Sequence, residues 1–394
     1  MCADFFPRCA LIDAFLGDPA ADDWRTYTPV LRAKSSEWQA LQALTPGVRQ
    51  RIAPILEFIP DWKTPGANTT GRKRRGPQTP QEYVARMLDS AVAATPGGRR
   101  SFVYFGLAGP TGIWARIDLW REFAARVPTN ARVIPLADLS SATSAWSFSA
   151  VPRARGECGL RLGVSDIGPD LPRRITALLA ATGLTAQTVH IIVDLKDHPA
   201  ATSHRQIRAA LGNADQFASA VVIAGVFPTD LTRFQPGVVA EARTEWTTWW
   251  REHAATPQTE RMLGFGDYTT QCAHYQPSPE VPGSVSLRYT IDDAVLVFRG
   301  RQSNNGSGLG HDQMHGHCRL LTRRPEYDGQ AFSQGDQRIA CWTDPTNGTG
   351  NATQWRIASI VHHITHVVAQ LHDPLGSCAN ARTWARNQPR GPCR

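Results

Sequence analysis

The stretch "CGLRLGVSDIGPDLPRRITALLAATGLTAQTVHIIVDLKD", residues 158–197, decides the fold. It opens on an apolar run (158–166), passes through "PDLPRRITALLAATGL" and returns to a second run, "VHIIVDLKD" (189–197). The middle segment has helical spacing and ends at Gly183, a residue that takes the left-handed conformation closing many helices. Both flanking runs are nearly continuous in apolar residues, which predicts strands buried on both faces, as in a parallel sheet covered by helices.

The same unit repeats outward. Toward the N-terminus lie "YTPVLRAK" (27–34), "RIAPILEFIP" (51–60), "SFVYFGLAG" (101–109) and "RVIPLADLS" (132–140). Toward the C-terminus lie "SAVVIAGVFP" (219–228) and "RMLGFGDY" (261–268). Between them are helix-like segments. "TPQEYVARMLDSAVAAT" starts with a threonine cap, Pro80 at the first helical position and Glu82 three residues after the cap. "PGVVAEARTEWTTWWREHAAT" (236–256) reads as one amphipathic helix, whereas 141–157, serine-rich and proline-containing, reads as a poor one. Eight strand–helix alternations over about 250 residues predict a closed (β/α)8 barrel of the TIM type. A doubly wound sheet is disfavoured because no G-x-G-x-x-G follows the first strand.

After Asp267 the pattern breaks. "VSLRYTIDDAVLVFRGR" (285–301) predicts a β-hairpin turning at Asp292-Asp293. A polar glycine-rich stretch (302–317) reads as a loop, and "ATQWRIASIVHHITHVVAQLH" (352–372) as the eighth barrel helix. The expected organisation is an N-terminal extension (1–26), a barrel (27–372) carrying an insertion (269–351) between its last strand and last helix, and a loose tail (373–394).

Apolar residues make up 42% and charged residues 19% of the chain, which suits a globular protein with a sizeable core. No run approaches the roughly 20 apolar residues of a membrane helix, and the N-terminus lacks a basic region ahead of its apolar part. The eight cysteines are scattered without a C-x-x-C pair and read as free thiols of a cytoplasmic protein. The net charge of +8 is concentrated in "GRKRRG" (71–76), a loop on the mouth side of the barrel that suits a nucleotide or nucleic acid, and in the arginine-studded tail. The competing reading of that loop is a solvated charge run.

In such barrels chemistry sits at the C-terminal ends of the strands. Those ends supply Arg32, Lys34, Glu57, Asp138, Asp166, Asp194, Lys196, Asp267 and Tyr268. Lys34, Glu57, Asp166, Asp194, Asp267 and Tyr268 are the catalytic candidates, as an acid/base set or as oxygen ligands of a divalent metal such as magnesium. Arg32, Lys196 and the hairpin arginines Arg288, Arg299 and Arg301 are the candidates for binding a phosphate-bearing ligand. Each carboxylate has a structural alternative, capping the helix that follows. His362 and His366 are four apart on a helix, at metal-ligand spacing but outside any H-E-x-x-H, and "HDQMHGHC" (311–318) holds ligand residue types without a standard spacing. No G-x-S-x-G and no G-x-x-x-x-G-K-[ST] is present, which disfavours serine hydrolases and P-loop nucleotidases.

"YTPVLRAKSSEWQAL", "IAPILEFIP", "FGDYTTQ", "SLRYTIDDAVLVFRGR", "FSQGDQRIA" and "GNATQWRIASIVHHI" together resemble the phage-type beta protein family, over roughly residues 27–371. The resemblance implies a prokaryotic, phage- or defence-related setting and brings no assigned reaction. Two functions are expected from the whole sequence. One is a metal-assisted hydrolase of a nucleotide or nucleic acid; the other is a non-catalytic component that binds nucleic acid or a protein partner of a defence system.

Overall fold

A computed structural model describes residues 24–60, 79–95, 99–108, 117–140, 146–275, 284–302 and 310–372. The basic loop 71–76, most of the N-terminal extension and the C-terminal tail lie outside these residues. In chain order the barrel half contains β1 (Thr28–Arg32), α1 (Ser35–Ala43), α2 (Pro46–Arg49), β2 (Ile55–Glu57), α3 (Pro80–Ala94), β3 (Ser101–Tyr104), α4 (Leu119–Arg126) and β4 (Val133–Asp138). It continues with α5 (Trp146–Arg155), β5 (Cys158–Gly163), α6 (Leu171–Thr182), β6 (Val189–Asp194), α7 (His204–Leu211) and β7 (Ser219–Ala224). Then come β8 (Gly237–Ala242), α8 (Thr244–Ala254), β9 (Gly264–Asp267), β10 (Ser284–Thr290), β11 (Ala294–Gln302), α9 (Gln313–Thr322), α10 (Gln334–Cys341) and α11 (Ala352–His372).

Strands β1 to β7 and β9 close into a parallel barrel, with β9 hydrogen-bonded to both β7 and β1. Local signals match the elements they forecast. Thr79 accepts from the Glu82 N–H at 3.1 Å to start α3, and Gly183 ends α6 with φ 70°. Alternation along each strand divides the core in two. Val30, Ile55, Phe102, Ile134, Leu136, Ile192 and Ile223 fill the barrel interior, while Leu31, Leu56, Val103, Leu160, Ile191, Val193 and Phe265 face the helices. Gly266 is needed inside: a Cβ there would meet the Thr28 carbonyl oxygen at 2.4 Å.

Three expectations about elements are corrected. Residues 236–256 are not one helix, because Gly237–Ala242 forms β8, which pairs antiparallel with β11 and turns the hairpin into a three-stranded sheet. Alternating "GVVAEA" satisfies a strand edge as well as a helix face, and the hairpin supplies the partner that decides it. The 302–317 stretch is not all loop, since α9 begins at Gln313 and buries Met314, Cys318 and Leu321. Residues 146–155 do form a helix despite Pro152. A fourth correction is chemical: Cys158, Cys272 and Cys318 are free thiols, but Cys341 is disulfide-bonded.

The inserted sheet has its own core, in which Leu287, Tyr289, Leu296 and Phe298 pack on Met314, Ile339, Trp342 and Trp355. Helix α11 joins the two cores: Trp355 and Ala358 belong to this one, and Ile360, Ile364 and Val368 to the barrel layer. Gly335 brings α10 against α11 at backbone contact, since a Cβ there would lie 2.3 Å from the Ala358 carbonyl oxygen. No helix among the described residues is long and apolar enough to cross a membrane.

Candidate functional site

At the C-terminal end of the barrel the inward positions change from aliphatic to polar. Adjacent strands bring Arg32 beside Glu57, Glu57 beside Tyr104, and Asp138 beside Arg161 in register. The centre of this polar layer is Arg161, only 2% exposed. Its Nη1 donates to Glu57 Oε1 at 2.9 Å, and its Nε and Nη2 donate to Asp194 Oδ2 at 2.9 and 2.6 Å. Nη2 also reaches the Tyr268 hydroxyl at 2.7 Å, and the guanidinium lies 4.3 Å from the Tyr104 ring centroid. A buried guanidinium facing two buried carboxylates is compensated; any one of the three alone would not be.

Tyr268 is saturated. Its hydroxyl donates to Asp194 Oδ2 at 2.8 Å and accepts from Arg161 and from Lys196 Nζ, the latter at 2.8 Å. Burial pushes the phenol well above its ordinary pKa, so it stays neutral. Burial alone would raise Asp194 as well, but Arg161 and Lys196 hold it at about 2. Lys196 is different. Its ammonium has three N–H bonds, of which Asp194 Oδ2 at 2.8 Å and Tyr268 engage two, and its side chain is 35% exposed. Its backbone is held at φ 53°, in the left-handed region, by the Asp194 Oδ1 contact to its own N–H at 3.0 Å. A non-glycine residue in that region stores strain of order 1 kcal/mol.

Around this layer, Arg32 donates to the Cys272 carbonyl at 2.6 Å, and Arg32 and Lys34 flank the Tyr275 ring at 5.6 and 5.9 Å. Arg32 Nε and Glu57 Oε2, 3.9 Å apart, are both buried without a hydrogen-bond partner among the described residues. Tyr104 donates to Asp138 at 2.9 Å; burial raises Asp138 above the usual carboxylate range, opposed by that hydrogen bond.

Of the residues expected from sequence, the structure brings Glu57, Asp194, Tyr268, Lys196 and Arg32 together, with Lys34 beside Tyr275. Asp267 is elsewhere. It is fully buried on the outer face of β9, where Tyr27 donates to Oδ1 at 2.5 Å and His363 Nε2 approaches Oδ2 at 3.1 Å. Its Oδ1 also caps the Thr269 N–H at 2.8 Å. Burial would raise its pKa, but His363 and Arg243 hold it below the usual range. Asp166 caps the turn after β5, accepting from the Gly163 N–H at 2.9 Å, and pairs with Arg174 at 2.8 Å.

The hairpin arginines do not converge on Arg161. Arg288 donates to the Thr270 carbonyl and stacks 4.5 Å over Phe227; burial, with Arg356 nearby, lowers it to about 10. Arg299 lies opposite Ser286 and Gly237 within the inserted sheet, and Arg301 is exposed at its end. The 311–318 histidines are dispersed along α9 and the turn before it, with His315 donating to the Trp342 carbonyl at 2.7 Å and Cys318 in the inserted core.

Arg161 and Tyr104 were not among the residues expected. A signal for Arg161 exists in "CGLRLG": Leu160 and Leu162 occupy one face, so an arginine in mid-strand must point into the barrel. The arrangement can grip an anion through Lys196, Arg32 and Lys34, and it can move a proton through Lys196 or Asp138. It is poorly suited to a metal at Glu57 and Asp194, which Arg161 and Lys196 already pair.

No curated protein matches the chain. The family model described as "Beta protein" matches residues 27–369, from the residue before β1 almost to the end of α11. The chain belongs to the Beta protein family.

Proposed function

We propose that the polar layer at the barrel mouth binds a small phosphate-bearing ligand, a nucleotide in the first instance. Lys196 carries this reading: anchored by Asp194 and Tyr268, it keeps one N–H donor and over a third of its side-chain surface for a partner. Strain stored at such a residue is a common mark of functional sites. Arg32 and Lys34 would add charge from the adjacent strand end, and the unpartnered Arg32 Nε and Glu57 Oε2 offer a donor and an acceptor to a hydroxyl or a water. Arg161 is the scaffold that pairs with Glu57 and, with Lys196, keeps Asp194 ionised while buried.

Binding, rather than metal-assisted hydrolysis, is the function this geometry supports best. A magnesium ion at Glu57 and Asp194 would have to displace a guanidinium at 2.6–2.9 Å. If turnover occurs, Lys196 or Asp138 would move the proton, and the basic loop 71–76 would extend the contact to a polynucleotide. A phage or defence role, with a protein partner, remains part of the same proposal and is supported by the resemblance alone. The test is calorimetric titration with ATP, inorganic phosphate and a short oligonucleotide, with and without Mg2+, alongside a turnover assay. Saturable ATP binding without Mg2+, weakened about tenfold or more in Lys196→Met, is expected from the loss of one charge-assisted contact. Turnover that requires Mg2+ and disappears in Asp194→Asn would instead restore the hydrolase reading.

A further inference from the structure

His362 and His366 stand one turn apart on α11, and each turns Nδ1 to a buried carboxylate. His362 Nδ1 lies 3.0 Å from Asp336 Oδ2, and His366 Nδ1 lies 3.0 Å from Asp328 Oδ2. One ligand atom from each of Asp328, His362 and His366 can be chosen so that all lie within 4.8 Å of one another. All three residues are at most 2% exposed. His366 Nε2 is buried without a hydrogen-bond partner among the described residues; Asp292 Oδ1, on the hairpin turn, is 3.5 Å away with its side chain 72% exposed.

The cluster gathers two acids and two imidazoles in one buried space. Asp336 pairs with His362 and Asp328 with His366, and Asp336 additionally accepts from the Tyr289 and Ser333 hydroxyls at 2.9 and 2.6 Å. A dication placed among these groups would be offset by the buried carboxylates and take the imidazole nitrogens as ligands. Two imidazoles and a carboxylate form a donor set suited to zinc and its neighbours. Asp336 would hold the ring of His362 in place, as carboxylates behind metal-bound histidines commonly do.

We propose that Asp328, His362 and His366 form a site for one divalent transition-metal ion, independent of the barrel mouth. Its ligands come from the segment before α10 and from α11, so the ion would staple the insertion to the last barrel helix. Ligands about 2.1 Å from an ion stand roughly 3–3.5 Å apart, so binding asks only for small side-chain rotations. With Nδ1 kept on Asp336, His362 would coordinate through Nε2, which gives up its present 2.8 Å contact with the Thr290 carbonyl.

The test uses the chelator-treated full chain. Titration with Zn2+ by calorimetry and with Co2+ by visible absorption should give one equivalent, a ligand-field spectrum of nitrogen and oxygen donors, and a higher thermal midpoint. Asp328→Asn, isosteric with the native side chain, and His366→Ala should each weaken binding about tenfold or more. His274→Ala, at an exposed histidine outside the cluster, should not. Absence of one-to-one binding in the wild-type chain overturns the site. So does binding retained in folded Asp328→Asn, which keeps the test decisive where His366→Ala does not fold.

Discussion

Asp194 and Asp267 end two strands of one barrel, β6 and β9, on either side of β7, with the same local turn but on opposite faces. Each accepts, through Oδ1, the N–H of the residue two positions on, and in each case that residue is a non-glycine with φ near 50°: Lys196 at 53° and Thr269 at 54°. Asp194 shares the inner face with Ile192 and meets Arg161, Lys196 and Tyr268 in the mouth. Asp267 shares the outer face with Phe265 and meets Tyr27, His363 and Arg243 in the layer between sheet and helices. Strand parity alone separates them. The outer network is a fastening: His363 Nδ1 accepts from Thr290 Oγ1 at 2.7 Å, and Arg243 donates to the Ile291 carbonyl at 3.2 Å and to Gln370 at 2.9 Å. Barrel seam, hairpin and last helix therefore meet at Asp267, while the mouth keeps a cation turned outward.

The largest effect that can break this comparison is expected from Arg161→Met. It leaves Glu57 and Asp194 buried without their guanidinium, which costs about 3–5 kcal/mol and is read by denaturant unfolding. If that variant is nearly as stable as the wild type, the two carboxylates are not held as described.

Asp267→Asn keeps the shape of the outer network and removes the carboxylate that faces Tyr27, His363 and Arg243. The expected loss is about 2–3 kcal/mol in the same unfolding experiment. An unchanged midpoint would remove Asp267 from the fastening.

A pH series sharpens the outer half. Burial raises Glu245 to about 7, with Arg243 opposing and Asp267 adding to the rise. The folded chain therefore holds this proton after the unfolded chain, at an ordinary 4.5, has released it. Stability should fall as pH climbs from 4.5 to 7, by of order 2–3 kcal/mol, and Glu245→Gln should flatten that slope. An unaltered slope in the variant contradicts the assignment.

Asp166→Ala gives the smallest change. Loss of this third strand-end aspartate, which caps its own turn and makes a partly exposed pair with Arg174, should cost about 1 kcal/mol and leave ligand binding at the mouth intact, measured by thermal midpoint and calorimetry.

Much of this was legible in the residues. The apolar runs located each barrel strand, and α11 spans the same residues, 352–372, that its amphipathic pattern outlined. What stayed hidden was whatever a distant partner decides. "GVVAEA" becomes β8 only because β11 lies beside it, and no local rule supplies that neighbour. The site failed differently at Asp267. Adjacent residues of a strand cannot both face inward, so Asp267 and Tyr268 are not candidates for one pocket, and Leu263 and Phe265 mark which of them faces the helices. Arg161 lies inside β5 rather than at its end, where barrel sites are ordinarily sought.

The central claim, that the mouth binds and the outer network fastens, is tested most directly by one paired titration. ATP binding is measured calorimetrically for Lys196→Met and Asp267→Asn, each with its thermal midpoint. The account predicts that Lys196→Met keeps its midpoint within a few degrees and loses about tenfold or more in affinity, whereas Asp267→Asn melts several degrees lower and binds as the wild type does. Wild-type affinity in Lys196→Met, or lost affinity at an unchanged midpoint in Asp267→Asn, would contradict it.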